Sequence, residues 1–218
     1  LRRLPLILAT AAAVLSGCDR ASHFNCKIVV QVETPSGVRT GDGVIRLTAA
    51  KHRALLPEEA KALSEITGEA IPVELPGGTT IYALLRSEAS GRALEADLLR
   101  SLDPEYAAGR VNFVQSVARA EQGLVGTSQS ELPAGELPLL VTFTVPSDPM
   151  SVRIVNPSHD PIGISKARVL ISVTSESVNE RIVDQLPWLR GLNAALDGSS
   201  ITTSNTPSNF LGKRDFKR

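Results

Sequence analysis

Apolar residues first recur at every second position. In "CKIVVQVE", Cys26, Ile28, Val30 and Val32 fall on one side and Lys27, Val29, Gln31 and Glu33 on the other, the period of a half-buried strand. Thr34-Pro35-Ser36-Gly37 follows, with Pro and Gly at the second and fourth positions preferred in a type I turn. Val44, Ile45 and Leu47 predict the returning strand, and so a hairpin. A second pair is predicted around Pro76-Gly77-Gly78 in "AIPVELPGGTTIYALL", where Ile71, Val73 and Leu75 alternate before the turn. Later strands are predicted in "LLVTFTV", with Leu139, Val141, Phe143 and Val145 on one face, in "SVRIV", and at Ala167 to Thr174 through Val169, Ile171 and Val173.

Between these strands the period changes. Pro57-Glu58-Glu59 has the proline and acids of a helix start, with Gly68 placed to close it. From Ala89 to Leu102, Leu94, Leu98, Leu99 and Leu102 form one helical face that must stop before Pro104. Asp103 can cap a following helix with Pro104 in its first turn and Phe113, Val117 and Ala120 on one side. Ser177 and Glu180 have capping-box spacing ahead of Ile182, Val183 and Leu186, and Pro187 ends that helix beside Trp188. Residues 122–138 are polar and broken by Gly and Pro, which predicts a loop and a candidate flap.

Strands in hairpin-like pairs, without regular strand–helix alternation, predict an α+β fold. Its sheet is mainly antiparallel, with helices inserted in the middle and near the C-terminus. A β-sandwich with inserted helices is the structural alternative. The chain divides into residues 1–17, a tether at 18–25, a single domain at 26–198, and a polar then basic tail at 199–218.

The division at the start comes from targeting chemistry. Arg2 and Arg3 form a positive head, Leu4 to Leu15 an apolar run, and Ser16-Gly17 a small-residue site before Cys18, the layout of a secretory signal peptide. Leu15-Ser16-Gly17-Cys18 resembles the lipobox of bacterial lipoproteins, whose cysteine is lipidated and becomes N-terminal after cleavage. A cleaved signal without lipidation would instead leave Cys18 an ordinary residue or a disulfide partner for Cys26. By resemblance to lipoprotein sorting, Asp19 implies retention at the inner membrane, facing the periplasm.

Composition narrows the partners. The formal charge is +0, and without residues 1–17 there are 21 basic and 23 acidic residues, a balance of −2. Only 4% of residues are aromatic, so neither a basic surplus nor a stacking platform points to nucleic acid.

Catalytic motifs are missing. There is no G-x-S-x-G, H-E-x-x-H, C-x-x-C or P-loop, and no lysine has a serine three residues before it. Gly41-Asp42-Gly43 starts like a dinucleotide loop but has Arg46 in place of the third glycine, so it reads as a turn or strand irregularity. Cys26, on an apolar face, reads as a buried, inert thiol. His159-Asp160 lies between Pro157 and Pro161 and reads as a solvated turn; His23 and His52 are scattered. No catalytic residue, metal ligand or cofactor is assigned. Glu58-Glu59 is accounted for by helix electrostatics, and Glu95 and Asp97 are too close in register to share a helix face. Lys213, Arg214, Lys217 and Arg218, with Phe210 and Phe216 among them, are candidates for contact with anionic headgroups; a solvated terminus is the plainer reading.

Taken together, "VETPSGVRTG" at Val32 to Gly41, "VTFTVPSDPMSVRIV" at Val141 to Val155, and the Pro-Trp-Leu segment at Leu186 to Leu189 resemble a group of uncharacterised alphaproteobacterial lipoproteins. That resemblance implies a lipobox followed by a hairpin-rich domain and carries no catalytic residue. The expectation is a lipid-anchored envelope protein, attached to the membrane through Cys18. Its domain binds an envelope protein or ligand, or supports the envelope, without catalysis. The alternatives are a periplasmic hydrolase with a triad assembled from distant residues, for example a serine with His159 and Asp160, or a small-ligand carrier with a cavity beneath residues 122–138.

Overall fold

The computed structural model describes residues 21–51, 62–126, 128–157 and 162–218. Among them, nine strands form two antiparallel sheets, accompanied by six short helices, so the fold is α+β with mostly sheet. Sheet one contains β1 (Ser22–Thr34), β2 (Gly37–Lys51), β3 (Ala62–Thr67), β6 (Ser130–Glu131) and β9 (Lys166–Thr174), in the order β3-β2-β1-β9-β6. Sheet two contains β4 (Ile71–Glu74), β5 (Thr80–Ser87), β7 (Pro138–Phe143) and β8 (Val152–Ile154), in the order β4-β5-β7-β8.

β1 alternates as its sequence predicts: Cys26, Ile28, Val30 and Val32 are buried and the residues between them are not. It begins earlier than Cys26, because Phe24 is buried and the ladder to β2 continues to Ser22↔Ala49. The second half of the expected tether is therefore strand.

A first core joins this face of sheet one to Ile71, Val73, Ile81, Ala83, Leu85 and Leu140 of sheet two. A second core lies on the other side of sheet two, around Tyr82, Leu84, Leu139, Val141 and Phe143. Sheet two is thus a middle layer. That explains why β7 is buried at all six positions and why "IYALL" in β5 shows no alternation: a strand covered on both faces has no polar side to show.

The helix expected to close at Gly68 is corrected. Its opening residues lie outside the described residues, but 62–67 form β3, paired with β2 from Lys51↔Ala62 to Arg46↔Thr67. Only Ile66 of β3 is buried, so edge pairing rather than an apolar helical face fixes its conformation. After β3 the chain turns at Gly68, with φ +149°, and leaves sheet one for sheet two. A Cβ there would sit 2.7 Å from Ile45 Cγ2. Strands that switch sheets need such corners. Gly41, inside β2, serves the same crossing, since a Cβ on it would lie 2.0 Å from the Pro72 carbonyl oxygen. The Gly-Asp-Gly sequence is therefore a close backbone passage within a strand.

The middle helices are shorter than their patterns. α1 (Glu95–Leu102) buries Leu98, Leu99 and Leu102. The single helix expected after Asp103 is two, α2 (Pro104–Ala107) and α3 (Phe113–Glu121). Gly109 has φ +69°, and a second N-cap follows, in which Asn112 and Gln115 form a capping box. Asp103, fully buried, accepts hydrogen bonds from the Glu105 amide (3.1 Å), Ser116 Oγ (2.8 Å) and Arg119 Nε (3.2 Å), tying all three helices together.

Residues 122–138 are not a free flap. β6 pairs with β9, the Leu132 amide donates to Val169 O at 2.8 Å, and Val125 and Leu132 are buried. Likewise α4 (Ile182–Gln185) is not capped by Ser177 and Glu180. Its Arg181 and Ile182 amides donate to Glu69, at 2.8 Å for Ile182. The helix does end before Pro187.

Packing also continues past residue 198. α5 (Pro207–Phe210) and α6 (Lys213–Phe216) cover the second core, where Leu211 and Phe216 are fully buried. Phe216 meets Phe143 at 5.9 Å and Trp188 at 5.8 Å between ring centroids. The Gly68 and Arg218 backbones exchange two hydrogen bonds of 3.0 Å. The segment 199–218 is part of the domain rather than a solvated tail.

Candidate functional site

Residues 197–204 have little apolar content with which to fold. A single amide organises them. Asn209, buried, accepts from the Thr203 and Ser204 amides at 2.7 and 2.9 Å, and donates to Asp197 at 2.9 Å and Ser199 Oγ at 2.8 Å. The hydrogen bonds from Ser199, followed by that from Asn209, hold the Asp197 carboxyl below the usual aspartate range.

Beside this loop α6 is set by Asp215, which accepts from the Gly212 amide at 2.8 Å and faces Arg86 Nη1 at 3.4 Å. Arg86 lies over the Phe210 ring, 5.4 Å from its centroid. Between the loop and the helix opens a cleft of about 660 Å³.

The cleft has four cations, Arg86, Lys213, Arg214 and Arg218, against one carboxylate, Asp215. Their availability differs. Arg86 is committed to Asp215. Arg218 donates to the Arg214 carbonyl at 2.8 Å and has Glu95 at 3.9 Å. Among the described residues, no acceptor engages the Lys213 or Arg214 side chains, and Arg214 is exposed. The hydroxyls of Ser199, Ser200 and Thr202 line the opposite wall, and Ile201 stands 71% exposed at its rim. No histidine lines the cleft. Such a lining is chemically suited to an anion, by charge and by hydrogen bonds.

The structure separates the four basic residues of the C-terminus. Lys213, Arg214 and Arg218 line the cleft, whereas Lys217 lies 3.2 Å from buried Glu69 and is part of the fold. Phe216, grouped with them in the sequence, is core. Cys26 is buried without a disulfide, and burial raises its thiol to about 12. His23 lies in β1, with Nδ1 3.7 Å from Glu121. Cys18, His52, Glu58, Glu59, His159 and Asp160 lie outside the described residues.

Smaller clefts lie elsewhere among the described residues. One of about 180 Å³ lies beside Asp42, Glu69, Asn179 and Arg181, and one of about 240 Å³ beside Gly77, Gly78, Tyr82 and Phe143. Neither lies beneath residues 122–138, where a carrier cavity was expected. Asp97 and Glu136 share Arg100, and no group of three metal-ligating side chains occurs among the described residues.

Sequence patterns did not find Arg86, Asn209, Asp215 or Glu69. The only local signal was Arg86 itself, the one charge in the apolar run "TIYALLRS".

No protein family, curated protein or solved structure matches the chain. No helix among the described residues is long and apolar enough to cross a membrane.

Proposed function

We propose that the chain is a lipid-anchored, periplasm-facing envelope protein whose domain binds an anionic partner without catalysing a reaction. The lipobox-like Leu15-Ser16-Gly17-Cys18 supports the anchor. The cleft supports the binding role: Lys213 and Arg214 stand opposite hydroxyl groups with no acid engaging them among the described residues. The lining combines cations and hydroxyls, its one carboxylate, Asp215, is bound to Arg86, and no histidine stands among them to activate a nucleophile, which favours binding over hydrolysis.

Site-specific photo-crosslinking in intact cells tests this reading. A photoreactive residue at Ile201 should give an adduct, and one at Val38, exposed at the opposite hairpin, should not. The Ile201 adduct should disappear with Lys213→Ala/Arg214→Ala. Equal labelling from both positions, or an adduct indifferent to the two cations, would refute a binding role for the cleft. Palmitate labelling of wild type and Cys18→Ser tests the anchor separately.

A further inference from the structure

From the lengths and registers on either side of the cleft, we infer that its ligand is the phosphate headgroup of an anionic phospholipid in the membrane that carries the anchor, so that the domain docks cleft-down on the bilayer. The inference rests on the lipid-anchor reading. Three residues separate Cys18 from Ser22, the first residue of β1. Four Cα steps span at most about 14 Å. The end of β1 is therefore held close to the headgroups.

The cleft lies at that same end. Asn25, three residues into β1, pairs with Arg46, Arg46 pairs with Thr67, and the next residue, Gly68, exchanges backbone hydrogen bonds with Arg218 of the cleft. The opposite end of β1 is remote. Glu33, paired with Val38, is eleven residues from Ser22, or about 36 Å along a strand.

The tether end also carries the side chains that a membrane surface takes up. Lys213 and Arg214 supply charge for a phosphate, and Ser200 and Thr202 supply hydrogen-bond donors. Ile201 is 71% exposed at the cleft rim. Leu63 is exposed one residue from the Ser22–Ala49–Ser64 rung, and Leu124 is exposed three residues beyond Glu121, the neighbour of His23. Cations beside exposed apolar side chains suit an anionic interface, where the ammonium or guanidinium stays among headgroups and the apolar group enters below it.

The test uses the lipidated full chain with Ile201→Cys carrying an environment-sensitive dye. Cys26 is buried and Cys18 carries the lipid, so the new thiol alone takes the label. The protein is reconstituted into vesicles of phosphatidylcholine alone, or mixed two to one with phosphatidylglycerol. The expected result is a blue shift in the mixed vesicles only. A dye at Val38→Cys should not shift.

Neutralising Lys213 and Arg214 to alanine should lower the docked-to-free ratio about fivefold per cation, about thirtyfold together. The swap Lys213→Arg/Arg214→Lys should retain the shift, and unchanged near-ultraviolet dichroism would exclude misfolding. Flotation reports on the anchor independently. If Cys18→Ser floats as well as wild type, the anchor reading and this inference both fail. If the wild type alone floats but Ile201 reports the same environment in both lipids, only the docking is overturned. A shift that needs native membranes rather than pure lipid assigns the cleft to an acidic protein and likewise overturns it.

Discussion

Removing the ring of Phe216 tests whether the last residues of the chain are core or covering. The side chain is fully buried and packs edge-on or tilted against Trp188 and Phe143. In Phe216→Ala the backbone bond from the Ala70 amide to the Phe216 carbonyl, 2.7 Å, has no reason to break, so the ring is what is lost. Truncating a buried Phe costs about 3–5 kcal/mol, including the cavity it leaves. Domain stabilities run from about 5 to 15 kcal/mol, so this is a large share of the total. Trp188 is the only tryptophan and touches the deleted ring, which makes urea unfolding followed by its fluorescence the natural assay. With an m-value of about 2 kcal/mol/M, the midpoint should fall by about 2 M. A shift worth less than about 1 kcal/mol, with m unchanged, would refute the placement of Phe216 in the second core.

The two kinds of C-terminal cation should separate in the same assay. Lys217→Ala deprives buried Glu69 of its ammonium and should cost about 1–3 kcal/mol, while Arg214→Ala, on the surface, should stay within about 0.5 kcal/mol of wild type; equal effects would contradict the assignment. Asp103→Ala leaves the Ser116 hydroxyl and the Arg119 guanidinium without their buried acceptor. It should destabilise by about 3–5 kcal/mol in calorimetry, and Asp103→Asn by less. Cys26 should resist alkylation at neutral pH until the protein unfolds. Its thiol is raised to about 12 in the fold, so its contribution is intact below the unfolded value near 9. Above that, the unfolded chain releases a proton that the folded one keeps. Stability should then fall by up to about 1.4 kcal/mol per pH unit until pH approaches 12, and Cys26→Ala should flatten that decline.

Alternation along "CKIVVQVE", the Pro-Ser turn and the Leu face before Pro104 are local signals, and the chain folds as they read. The errors share a different origin. Residues 62–67 become strand because β2 offers an edge, and α4 is capped by Glu69, 112 positions before Arg181. Neither partner is visible in a window of neighbouring residues. The cleft was hidden for the same reason. The sequence singled out Lys213, Arg214, Lys217 and Arg218 together, but only the contacts of Lys217 with Glu69 and of Arg218 with Glu95 show which cations are engaged and which are left to face the cleft. Asn209 looked like one more polar residue in a Ser/Thr/Asn-rich stretch, although its hydrogen bonds organise the cleft wall.

The passage of residues 62–74 from one sheet to the other bears on how the domain comes apart. β3 completes the edge of sheet one, β4 opens sheet two, and Gly68 between them is bonded to Arg218. Peeling β4 away pulls on β3, and releasing the C-terminal segment frees the joint between them. The two cores should therefore melt as one cooperative unit. In native-state hydrogen exchange, amides of β2 and β7 should share a single opening free energy. A ligand seated against Arg218 would then protect the whole domain, including strands far from the cleft, by the same increment.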